Sequence, residues 1–137
     1  MAKRSRHLRL FVNVAHHRFG DAEHLRQVKR TVAAAYLAGY AVECYLKALI
    51  LSLYPEHRQQ SIVNQFRGSR AHDFLWLKKQ YFDAGGSAIP QPISFAFVTL
   101  ASWNTELRYN PRVTYEGDID AFFESIFAVR DWALKRI

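Results

Sequence analysis

Between residues 33 and 50 the chain carries only two charged side chains, Glu43 and Lys47. A helix that is apolar on every side has to be surrounded by other elements. The segment therefore predicts a buried central helix with the rest of the chain packed around it. Its two charges stand at i and i+4, which on a helix puts the carboxylate one turn before the ammonium on one face. That spacing predicts that Glu43 and Lys47 make a polar contact, on the helix surface or between helices, inside an apolar wall. Residues 32–53 could also cross a bilayer, but both charges would then fall near mid-span, at a cost of about 2.5–3.5 kcal/mol each. A core helix is the expected reading, and no membrane partner is expected.

At 137 residues the chain suffices for one domain that buries roughly two thirds of its unfolded surface. That domain is expected to span 1–137, with 1–17 as a basic N-terminal arm or an extra helix. The one cysteine, Cys44, lies in the apolar segment. It cannot form an intramolecular disulfide, and a small core thiol fits a reducing compartment. The opening Ala2-Lys3-Arg4-Ser5-Arg6-His7 leads into an apolar run broken by Arg9 and Asn13, which does not read as a secretory leader. The expected location is cytoplasmic.

The remaining pattern is helical. Residues 5–15 admit two periods: Leu8, Leu10, Val12 and Val14 alternate as in a strand, whereas Leu8, Phe11, Val12 and Ala15 suit a helix, which is preferred. Asp21 after Gly20 predicts the N-cap of a helix running to about Tyr54 and stopped by Pro55, with Gly39 marking a close helix contact. Residues 56–71 are polar and read as a loop around a short turn at 62–66. A helix over about 71–82 follows, ended by Gly85-Gly86. Pro90 and Pro92 open another, with the stripe Ala96, Leu100, Trp103 and Leu107, up to Pro111. The last begins at Asp118 and carries Ile119, Phe122, Phe123, Ile126, Val129 and Ala133 on one face. The predicted fold is all-α, an antiparallel up-and-down bundle of four to five helices.

The stretches Asp21-Ala22-Glu23-His24-Leu25, Tyr36-Leu37-Ala38-Gly39-Tyr40-Ala41-Val42-Glu43-Cys44 and Leu46-Lys47-Ala48 resemble the first helical hairpin of HEPN domains. His72-Asp73-Phe74 with Leu77 is similar to that family's HDLxxL element, and Trp103-Asn104-Thr105-Glu106-Leu107-Arg108-Tyr109 to its WxxxxRY element, in the same order. The resemblance covers about residues 18–137. It implies a HEPN-like bundle that forms a homodimer, with the Trp103 helix and the 119–133 face contributing to core and contact. It also implies a module that binds RNA or a nucleotide and acts with a nucleotidyltransferase-type partner protein, or in a toxin–antitoxin or defence system. The alternative is a metal-independent ribonuclease working at the dimer interface. There an arginine neutralises the charge growing on the phosphorane and a histidine moves the protons.

Ribonucleases of this class carry arginine followed four to six residues later by histidine. After Arg108 come Tyr109, Asn110, Pro111, Arg112, Val113, Thr114 and Tyr115, with no histidine, which favours the binding module. Such spacings occur elsewhere at Arg9/His16, Arg18/His24 and Arg67/His72, where composition alone predicts about two. Arg67-Gly68-Ser69-Arg70-Ala71-His72 stands out, because a glycine-containing basic loop entering a helix can present backbone N–H groups to phosphate. The expected phosphate contacts are Arg67, Arg70, Lys47, Arg108 and Tyr109. If the chain is an enzyme, Arg108 and His72 are the expected catalytic pair; otherwise His72 caps or packs.

Net charge is +7, and residues 1–72 hold +8 of it against −1 for 73–137. The bias fits a polyanion partner, with Lys3, Arg4, Arg6 and Arg9 as an arm and Arg18, Arg26, Lys29 and Arg30 nearby, or simply a solvated helix face. His16-His17 with His24 lack a cysteine or carboxylate at ligand spacing. Nucleophile elbow, Walker A loop and dinucleotide fingerprint are absent from the sequence, and no metal or cofactor is expected. Tyr36, Tyr40, Tyr45 and the later Phe and Trp residues read as core or dimer interface rather than base-stacking platforms.

Overall fold

The structure, a computed structural model, describes residues 5–109 and 116–137, with side chains described outside 103–118. Six α-helices follow one another: α1 (Arg6–Gln27), α2 (Thr31–Ser52), α3 (Glu56–Gln65), α4 (Phe74–Asp83), α5 (Gln91–Tyr109) and α6 (Glu116–Leu134), with a 3-10 turn at Ser69–His72 before α4. No strand occurs among the described residues. The protein is an all-α bundle with α2 at its centre, packed against α1, α4, α5 and α6.

Residues 5–15 are helical because Ser5 caps α1, accepting from the Leu8 N–H at 3.2 Å, and because Leu8, Val12, Ala15, Phe19 and Ala22 form one buried stripe. Leu10, which a strand would have turned inward with Leu8, is 60% exposed. Asp21 does not start a helix. It lies inside α1 and pairs with Arg18 at 2.8 Å.

The helix expected over 21–54 is broken at Val28-Lys29-Arg30. The Lys29 N–H donates to the Arg26 carbonyl, the Arg30 N–H donates to the Leu25 carbonyl, and Lys29 takes the left-handed φ of 62°. This is a Schellman stop, here with lysine where glycine is usual. It folds α1 back on α2, and Ala15 and Ala22 of one helix and Ala34, Ala35 and Ala38 of the other are fully buried. Gly39 is not a close-contact glycine, since a Cβ there would meet nothing within 4 Å.

From Ala41 to Leu51 every residue of α2 is buried. By length and composition α2 could cross a membrane, but most of it is covered by the other helices. Residues 56–65, expected as loop, form α3, a surface helix with only Gln59 and Ile62 buried. Gln59 is the reason a polar stretch docks. Its Nε2 donates to the carbonyls of Leu51 (3.0 Å) and Tyr54 (3.1 Å), and its Oε1 accepts from the Ser5 hydroxyl, so one amide joins α1, the end of α2 and α3.

Ala84, Gly85 (φ 92°) and Gly86 terminate α4, and Gly86 lies flat on the Tyr81 ring with no room for a side chain. On α5, Ala96, Phe97 and Leu100 are buried; on α6, Ile119, Phe122, Phe123, Ile126, Val129, Trp132 and Ala133 are. The expected α6 face is thus part of the core of its own chain. Among the described residues of α5, Phe95 and Val98 are exposed large apolar side chains.

Candidate functional site

Glu43 and Lys47, both buried, do not pair with each other. Glu43 reaches across to the 3-10 turn, where its Oε2 lies 2.9 Å from Nδ1 of His72. Lys47 points toward the Phe66 ring, with Nζ 5.7 Å from the centroid. Of the two contacts the spacing allowed, Glu43 makes the one between elements, with His72. The strap thus supplies a hydrogen-bonding ring nitrogen to the buried Glu43 and an aromatic face to Lys47.

The strap comprises residues 66–73. Gly68, at φ 77°, turns the chain after α3, and the 3-10 turn carries Arg70 outward and His72 inward. Asp73 then caps α4, accepting from the N–H groups of Leu75 (2.8 Å) and Trp76 (3.4 Å). The N–H groups of the first turn of α4 are thus taken by a carboxylate, which disfavours an anion at that helix start. Side chains of the strap are the remaining groups of positive charge for an anion.

Those side chains are present. Arg67 and Arg70 are exposed, and the His72 side chain is 43% exposed although its Nδ1 faces a carboxylate that is 7% exposed. An ionised carboxylate only accepts, so with Glu43 ionised the proton of the neutral imidazole sits on Nδ1. Histidine held by a carboxylate in this way has a fixed tautomer and ring orientation, the arrangement that proton transfer requires. Beneath the strap, Phe66 stands edge-on to Phe11 (6.0 Å) and to Trp76 (6.4 Å), and the Arg70 guanidinium lies 5.2 Å from the Trp76 centroid.

Trp103, Arg108 and Tyr109 fall in α5, but their side chains lie outside the described residues, as do Lys3 and Arg4. The structure thus brings together Glu43, His72, Lys47 and the strap carrying Arg67 and Arg70.

The other basic residues are partly spoken for. Arg18 pairs with Asp21, and Arg26 pairs with Asp120 at 3.0 Å while covering the Phe123 ring at 4.1 Å. Lys29 and Arg30 rim a groove of about 590 Å³ beside Tyr36 and Leu37. Its lining residues lie roughly 9–20 Å along α2 from Glu43, counted at 1.5 Å per residue.

Cys44 is 2% exposed, and burial pushes its thiol up to about 11, with Lys47 pulling the other way. Tyr40, beside it, is also raised, by Cys44 first and burial second. Neither is a ready nucleophile. Nδ1 of His16 shares a hydrogen bond with the Tyr45 hydroxyl at 2.6 Å, which ties the ring to the core helix. No group of three metal-binding side chains occurs among the described residues. The sequence reading missed Gln59, Phe66 and the Arg70–Trp76 contact, since none of them belongs to a motif.

No family model, curated protein or solved structure matches the chain.

Proposed function

We propose that this protein is a HEPN-like module that binds RNA or a nucleotide by its phosphates, using the strap between α3 and α4. The observation that carries this reading is the grouping of exposed Arg67 and Arg70 with half-exposed His72 over the buried Glu43 and Lys47 of α2. The charge bias supports it, because the excess of positive charge lies in residues 1–72 and phosphate contacts dominate nucleic-acid affinity. Arg108 and Tyr109 belong to the same site in this reading.

The test is RNA-binding affinity measured by fluorescence anisotropy across a salt series. Wild type should show a steep log–log salt slope, and the Arg67→Ala/Arg70→Ala double variant should lower the slope magnitude by about 1.4, at about 0.7 per phosphate contact on a single strand. An unchanged slope would contradict the assignment.

A second reading, a metal-independent ribonuclease, is favoured by one observation, the 2.9 Å contact of His72 with buried Glu43. In it, His72 moves the proton of the 2′-hydroxyl or the leaving oxygen and Arg108 neutralises the phosphorane. Cleavage in the presence of EDTA, abolished by His72→Ala, would establish it; intact RNA with wild-type protein would leave the binding module alone. The proposal extends to a homodimer and a nucleotidyltransferase-type partner, with exposed Phe95 and Val98 of α5 as surface for the contact. Light scattering at 15.9 kDa would contradict the homodimer.

A further inference from the structure

Phosphate contacts alone do not account for the layering next to His72. The Arg70 guanidinium lies 5.2 Å from the Trp76 ring centroid, and Trp76 is itself held edge-on by Phe66, which meets Phe11 in the same way. A guanidinium needs no aromatic backing to contact a phosphate. Backed by one, it has its side-chain entropy already reduced, and a planar cation held in place offers a face to another planar group. Exposed Arg70 and half-buried Trp76 stand at the solvent edge of the strap, whereas Tyr45 and Phe97 are core. His72 follows Arg70 by two residues in the same 3-10 turn.

Resting on the RNA-binding reading above, we propose that Arg70, backed by Trp76, is a nucleobase-stacking subsite of the strap. It selects RNA whose bases are unstacked and favours purines, because bases in a duplex present no free face and purines offer the larger one.

The experiment compares three single-stranded oligoribonucleotides of equal length by anisotropy at one salt concentration: oligoadenylate, oligouridylate and an abasic strand of the same charge. Oligoadenylate should bind about fivefold or more tightly than the abasic strand, with oligouridylate between them. Arg70→Lys keeps the charge and loses the plane, and it should erase most of that advantage. Trp76→Leu should do the same; because Trp76 also packs under the strap, the surface variant Arg70→Lys carries the decision if Trp76→Leu fails to fold. Equal affinity of wild type for oligoadenylate and the abasic strand overturns the subsite and leaves phosphate binding standing. A purine advantage that survives Arg70→Lys also overturns it. Absence of binding to all three strands overturns both this proposal and the reading on which it rests.

Discussion

Replacing Gln59 by leucine should destabilise the fold and loosen the strap together. Gln59 is 4% exposed and makes three hydrogen bonds: two from Nε2 to the carbonyls of Leu51 and Tyr54, and one at Oε1 from the Ser5 hydroxyl. Leucine has nearly the same volume and makes none of them. The Leu51 carbonyl keeps the Tyr54 N–H at 3.0 Å, so the Tyr54 carbonyl loses its Gln59 donor and the Ser5 hydroxyl, still accepting from the Leu8 N–H, loses the acceptor for its proton. At about 1–3 kcal/mol for each buried group left unmatched, less a little for added apolar burial, the loss is about 3 kcal/mol. For a chain of this length the unfolding entropy is about 0.29 kcal/mol/K, so Tm should fall by about 10 °C. Urea melts followed by far-UV circular dichroism measure the free energy, and an unchanged m-value would show that the native state alone changed. Because Gln59 anchors α3, which leads into residues 66–73, RNA affinity should fall in the same variant below its midpoint. A loss under about 0.5 kcal/mol would refute the claim that this amide joins α1, α2 and α3.

Gly39→Ala should stabilise the protein by about 0.5–1 kcal/mol in the same melts, since the glycine is helical and a Cβ there meets open space. Cys44, buried with its thiol raised to about 11, should react with a thiol reagent at pH 8 on the order of 100-fold more slowly in the native protein than in urea, from ionisation alone; the gap should narrow as pH rises toward 11, because the missing thiolate then forms in the folded state. A double-mutant cycle of Glu43→Gln and His72→Ala should give a coupling of about 1 kcal/mol, a hydrogen bond to a buried charge discounted for the solvent access of the imidazole. A coupling near zero would show that the two groups do not act on each other.

The central helix was legible because eighteen residues with two charges leave little choice of environment, and the α6 stripe because Ile119, Phe122, Phe123, Ile126, Val129 and Ala133 keep helical spacing. The break at Lys29 was not, since Val28-Lys29-Arg30 contains neither glycine nor proline and the Schellman bonds are a backbone matter. Nor was α3, whose buried face depends on a glutamine that reads as a surface residue until its three partners are known. At the site, His72 was singled out and Glu43 marked as a core charge, but which charge meets which is set by the turn at Gly68, far from α2 in sequence.

Hydrogen exchange of the protein with and without a short single-stranded RNA tests the central claim most directly. The account predicts added protection concentrated in residues 66–76, with little change in α6. Protection confined to α1 or to the groove at Lys29 and Arg30, with the strap unaffected, would contradict it.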